Sequence, residues 1–183
     1  MVFVRLGRWT CSLGAWIAAA AFALILGGCW SKDPAFLIPP KNSAYEQYVF
    51  AYQERAKMYI VPPKQKPAMR ERIIKCYEEV LTRFPKDTEV TPLAYLDLGD
   101  LFATEQDFGN AFKYFEKAQK NYITNDKVQA YSRMRRGELY EIKKEKVKAR
   151  DLYKECYELY RDHPDKAVKE ISDRAYKLFN KVM

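Results

Sequence analysis

A thiol preceded by two glycines, Gly27-Gly28-Cys29, closes an apolar run near the N-terminus. No other residue in the chain has a context that so clearly invites covalent chemistry. A thiol is a nucleophile able to accept a substituent. The remaining candidates for chemistry are few. His163 is the sole histidine and sits in the turn Arg161-Asp162-His163-Pro164. One histidine and scattered cysteines do not make an ordinary zinc site, so no metal is expected. The chain holds no glycine-rich phosphate loop and no serine in a nucleophile elbow. Carboxylates are many but lie on helical patterns, where they form solvated faces. Neither an enzyme nor a protein cofactor is therefore expected.

The elements around Cys29 explain how it would be used. Arg5 and Arg8 are the sole charges in residues 1–28, and every residue from Ala15 to Leu26 is apolar. A short basic region followed by such a run has the form of a secretory signal. The stretch from Trp9 to Gly28 is also long enough for an uncut membrane span, but Thr10, Cys11 and Ser12 dilute it and no basic cluster follows. Leu26-Gly27-Gly28-Cys29 resembles the bacterial lipobox. That resemblance implies diacylglyceryl transfer to the Cys29 thiol, cleavage before it and acylation of the new amino group. The chain would then be a lipoprotein of the cell envelope, tethered to a membrane by lipid. Trp30, not Asp, follows the cysteine, which under the Gram-negative sorting rule implies the outer membrane, facing the periplasm.

Removing Arg5 and Arg8 with the signal leaves 30 basic against 24 acidic residues, a net charge of +6. The charges are interspersed, as on a solvated helical surface. No basic block is interleaved with aromatics, so nucleic acid is not an expected partner. Residues 29–42, with three prolines, read as a tether, and residues 43–183 as the folded domain. Glycine is rare and alternating strand patterns are scarce, so the expected class is all-α.

Seven helices are expected. Ser43 and Glu46 form a capping-box pattern for the first, about Ala44–Tyr59. Pro67 opens the second, which runs to about Phe84, and Thr91-Pro92 opens the third with Thr91 as cap. Gln106-Asp107 separates the third from the fourth, about Phe108–Tyr122. Asn125-Asp126 caps the fifth, the sixth spans about Lys146–Arg161, and Pro164 opens the seventh, ending near Val182. Cys76 and Cys156 fall on non-adjacent helix pairs, beyond the roughly 7 Å Cα separation that a disulfide tolerates. They are expected to be free, buried thiols.

A register repeats within this pattern. Gly99 is followed by Ala111, Phe115 and Ala118 at offsets of 12, 16 and 19, and Gly137 is followed by Ala149, Tyr153 and Cys156 at the same offsets. Phe102 and Tyr140 hold the same place in the turn after their glycines. A generic bundle explains the core residues but not the recurrence of the register. This code resembles the tetratricopeptide repeat, in which small residues let the two helices of a hairpin approach and a large aromatic fills the space beside them. Tyr95 stands where the family often has Trp, and Arg136 stands at a usual leucine position. The interval from Gly99 to Gly137 also exceeds the family's usual period of about 34. Ile73, Tyr77 and Val80 have the spacing of an earlier second helix. The resemblance implies a short α-solenoid with units at about 44–85, 92–123 and 126–161 and a capping helix at 164–182.

It also implies a concave surface lined by first helices: Leu93, Leu96, Asp100 and Ala103 in one unit, Tyr131, Met134, Glu138 and Glu141 in the next. That mixed groove would hold a protein or peptide segment with basic character. Asp100 and Glu138 stand where a carboxylate clamp uses Asn or Lys, which argues against that mode. Tetratricopeptide lipoproteins serve in outer-membrane barrel assembly and as pilotins, so the implied role is an interaction scaffold. The alternative is an envelope enzyme or small-ligand carrier, which would need convergent polar groups in a deep pocket.

Overall fold

Ser43 starts the first helix as its cap: its hydroxyl accepts the Glu46 N–H at 3.2 Å, while the Glu46 carboxylate reaches back to the Asn42 N–H at 3.2 Å. From there the computed structural model is all-helical. It describes residues 37–182; the signal segment, Cys11, Cys29 and residues 30–36 of the tether lie outside the described residues. The elements are α1 (Ala44–Lys57), a 3-10 turn (Pro63–Gln65), α2 (Lys66–Arg83), α3 (Thr91–Thr104), α4 (Phe108–Asn121), α5 (Asp126–Ile142), α6 (Lys146–Tyr160) and α7 (Lys166–Val182). Ile38–Met183 form one compact unit.

The helix ends follow local chemistry. Asp107 caps α4 and Asn125 caps α5, accepting the N–H groups of Asn110 and Val128 respectively. Thr91 does not cap α3 as expected. Asp87 takes that role, with one carboxylate oxygen accepting from Glu89, Val90 and Thr91 at 2.7–3.1 Å, and the Thr91 hydroxyl donates back to the Phe84 carbonyl. A carboxylate satisfies three orphan donors where a hydroxyl would satisfy one. Gln106 and Lys144, at equivalent places in the register, both take positive φ (61° and 63°) in the turns that close α3–α4 and α5–α6.

Each helix packs on the next, and α1, α3, α5 and α7 also touch in succession. The repeating register sets the core. Ile73, Ala111 and Ala149 are equivalent; so are Tyr77, Phe115 and Tyr153, and Val80, Ala118 and Cys156. All nine are fully buried. Burial of each aromatic in this set contributes about 2–3 kcal/mol. The glycines explain why such rings fit. A Cβ on Gly99 would lie 2.6 Å from the Phe115 ring, and one on Gly137 would lie 2.5 Å from the Tyr153 ring. Helix contact at these two crossings requires a residue without a side chain. The Ile60–Lys66 insertion holds the 3-10 turn and displaces α1 from the register.

Arg136, which departs from the repeat pattern, has its own partners. Leu98, its equivalent, is wholly buried, whereas the Arg136 guanidinium turns to α4, donating to Gln119 Oε1 at 2.7 Å and pairing with Glu116 at 3.1 Å. Helix α7 buries Val168, Ser172 and Ala175 and turns Lys166, Lys169, Glu170 and Lys177 to solvent. Among the described residues no helix is long and apolar enough to cross a membrane.

Cys76 and Cys156 are both free and fully buried, and burial pushes each thiol up to about 12. A thiol held in its protonated form is a poor nucleophile. The folded protein should therefore resist maleimide at both positions, and both should react within minutes in guanidinium. Mass spectrometry of the alkylated protein counts them. Rapid native labelling at either residue would contradict this packing.

Candidate interaction surface on the first helices

The odd-numbered helices share one face, and side chains from successive helices meet across it. On α3, Asp97 accepts from Arg55 Nη1 of α1 at 2.8 Å and from the Tyr48 hydroxyl at 2.9 Å. One turn later, Asp100 accepts from the Tyr131 hydroxyl at 2.6 Å and from Arg135 Nε at 2.7 Å, both on α5. Arg135 also pairs with Glu138, whose second oxygen accepts from Arg174 of α7 at 2.7 Å. Glu141 receives Lys181 of α7 at 2.9 Å and the Tyr153 hydroxyl at 3.1 Å. Acid and base thus alternate from α1 to α7, and every joint between first helices holds at least one ion pair.

The members on α1, α3 and α5 are largely screened from water, whereas Arg174 and Lys181 on α7 are exposed. The Asp97 and Asp100 side chains are 19% and 17% exposed. Burial raises the Asp97 carboxyl above its ordinary value, and the attraction of Arg55 and the Tyr48 donor offset part of the rise. Burial also raises the Tyr131 hydroxyl, and the adjacent Asp100 charge adds to that. For Arg135, burial acts to lower the guanidinium, but Asp100 and Glu138 outweigh it and hold it above its ordinary value. The charges of the ladder are thus met by partners within the chain.

This placement changes the expected groove. Asp100, Glu138 and Glu141 do lie on the shared face, but each is engaged within the chain. Leu96 and Met134 do not line a groove: they are 7% and 1% exposed and belong to the core, Met134 among Ala130, Cys156 and Tyr160. At helical spacing, a residue one step round from a surface position faces the neighbouring helix, and the sequence pattern did not fix that rotation. Leu93, Ala103 and Tyr131 remain part-exposed. Arg55, Tyr48, Asp97 and Arg135 are the residues that sequence reasoning missed. A signal existed, since Asp97 and Arg135 occupy equivalent positions of the two repeats with opposite charge.

A recess of about 630 Å³ lies where α1 and α3 end beside the start of α2, walled by Met58, Tyr59, Pro63, Pro67 and Leu101. Its arginines, Arg55 and Arg70, are paired with Asp97 and Glu105 respectively, and Lys66 also lines it. His163 links two turns: the Asp165 N–H donates to Nδ1 at 3.1 Å, which leaves the ring proton on Nε2, 3.2 Å from Asp126. Among the described residues no cluster of His, Cys, Asp and Glu could hold a metal ion. No protein-family model matches the chain, and no curated protein matches it.

Proposed function

We propose that the chain is a lipid-tethered, tetratricopeptide-like scaffold of the bacterial envelope, held at a membrane through Cys29 and offering stacked helix hairpins to a protein partner. The observation that carries the reading is the recurrence of one joint. Gly99 against Phe115 and Gly137 against Tyr153 are the same small-against-large crossing in successive hairpins. The positive-φ turns at Gln106 and Lys144 repeat with them. Successive contacts among α1, α3, α5 and α7 are those a short solenoid makes on its inner side, with α7 closing the last apolar face.

The lipobox at Leu26–Cys29 supports delivery and anchoring, and Trp30 supports the outer membrane in a Gram-negative host. The inner face bears paired charges, so a docked segment gains little from free carboxylates. Its anchors are apolar or aromatic groups meeting Leu93, Ala103 and Tyr131, which is how such grooves hold peptides. Barrel assembly or a pilotin-like role are processes in which such a module would serve.

In-cell photocrosslinking tests this directly. A photoreactive residue at Leu93 should capture one discrete protein, and the yield should fall at least fivefold in Cys29→Ser, which mislocalises the module. The same residue at exposed Ile123 should not capture it. Identical products from both positions, or none from Leu93, would remove the inner face from the account.

A further inference from the structure

Helix α1 carries a stripe that the other described residues leave largely bare. Tyr45, Val49, Tyr52, Ala56 and Tyr59 follow one another at spacings of four, three, four and three, and therefore line one side of the helix and its last turn. The three tyrosines are 67%, 58% and 85% exposed. No charged residue interrupts the stripe. Between residues 38 and 182 nine large apolar or aromatic side chains are exposed, and Tyr45, Tyr52, Tyr59 and Ile60 are four of them. The opposite side of α1 holds its buried residues, Ala44, Gln47, Ala51 and Glu54. Uncovered aromatic surface among the described residues is thus concentrated on the first helix, the one nearest Cys29 in the sequence.

We infer that this stripe is a membrane-seating surface: α1 lies along the lipid headgroups of the bilayer that holds Cys29. The inference rests on the lipid tether proposed above. The chain between Cys29 and Ile38 is short, and fully extended it reaches about 30 Å. The helix from Ala44 to Lys57 is about 21 Å long. The whole stripe therefore stays within reach of the bilayer surface. Its chemistry suits that occupant. Tyrosine combines an apolar ring with a polar tip and prefers the membrane–water boundary. Val49 and Ala56 let the rings between them sink without a charge following. The exposed Lys64 and Lys66 follow the stripe's C-terminal end, where they can meet phosphate groups. Seating α1 fixes the orientation of the array on its tether and leaves α7 and the inner face open to the periplasm.

Depth-dependent fluorescence quenching tests this. Trp30→Phe removes the one tryptophan of the processed chain, and Tyr52→Trp then reports the stripe; Leu159→Trp, on α6, serves as control. The protein is purified from membranes with its lipid and reconstituted in vesicles of phosphatidylethanolamine and phosphatidylglycerol at 3:1, with part of the lipid brominated near the headgroup. In parallel, the chain beginning at Cys29 is coupled by that thiol to a maleimide-bearing phospholipid in the same vesicles; Cys76 and Cys156 are buried and do not compete. Quenching at position 52 should exceed that at 159 at least threefold in both preparations. Adding Tyr45→Ser and Tyr59→Ser should halve it without changing the melting temperature. Equal quenching at both positions would overturn the seat. So would an unquenched position 52 within a crosslinkable dimer, which would assign the stripe to a second copy. If the protein from membranes carries no lipid, the tether reading fails by itself, and the coupled preparation still decides the seat.

Discussion

Replacing Gly99 by valine should lower stability by about 3 kcal/mol, the upper part of the range for an overpacked core. In a domain of this size that corresponds to a melting temperature lower by roughly 6–12 °C. The added Cβ alone would stand 2.6–2.8 Å from three atoms of the Phe115 ring. That ring is fully buried, so it cannot swing into solvent to make room. Valine is also a poorer helix former than most residues, but that effect is only a few tenths of a kcal/mol. Gly137→Val should cost a similar amount, because its Cβ would meet the Tyr153 ring at 2.5 Å. Two further variants separate the collision from a general intolerance of change. Gly109 has open space, with its nearest neighbour at 3.8 Å, so Gly109→Ala should be neutral or stabilising. Phe115→Leu should suppress much of the loss when combined with Gly99→Ala. Thermal unfolding by circular dichroism measures all of these. A Gly99→Val protein as stable as the parent would mean that the helices cross elsewhere.

Arg55→Leu should cost about 2–3 kcal/mol at pH 7.5, somewhat below the cost of breaking a fully buried pair. It removes the cation of the α1–α3 joint and leaves the Asp97 charge screened from water, still bonded to the Tyr48 hydroxyl but without the counter-charge that faced it. Asp97→Asn in the same chain should recover much of the loss, because an amide needs no counter-charge. The pH dependence has a definite sign. Burial raises the Asp97 carboxyl in the folded state, so folding favours its protonated form. Stability from that protonation is fully present below the unfolded value and is lost as the pH rises through the folded one. Without Arg55 the folded value rises further, so the deficit of Arg55→Leu should shrink as the pH falls from 7.5 toward 5. Denaturant unfolding at a series of pH values gives the curve. A deficit that stays constant or grows with acidification would show that the Asp97 charge is not what the substitution exposes.

The two predictions draw on features that differ in how well the sequence revealed them. The glycine–aromatic joint is local in register: Gly99 meets Phe115, and Gly137 meets Tyr153, because a hairpin of two consecutive helices brings them together. Its recurrence at identical offsets made it readable, and Ile73, Tyr77 and Val80 extend the same register to a third hairpin. The ion-pair ladder joins helices of different hairpins, distant in the chain, and depends on how each first helix is rotated. That rotation placed Leu96 and Met134 in the core and turned Asp97 and Arg135 toward one another's neighbours. Asp87 escaped notice as the α3 cap because it stands outside the usual capping position, a full turn before Thr91. The bare stripe on α1 was hidden for the opposite reason. Tyrosines at heptad spacing suit a core face as well as an open one, and only the fold distinguishes the two, leaving Tyr45, Tyr52 and Tyr59 exposed among the described residues.

The inner-face reading and the membrane-seating reading both depend on where the array is held. The measurement that bears most directly on this is the intact mass of the native protein extracted from membranes. The account predicts a chain that begins at Cys29 and carries a diacylglyceryl thioether and an amide-linked acyl group, with Cys29→Ser left unprocessed and unlipidated. A mass equal to the full 183-residue chain, or to a cleaved chain with a free Cys29, would contradict it.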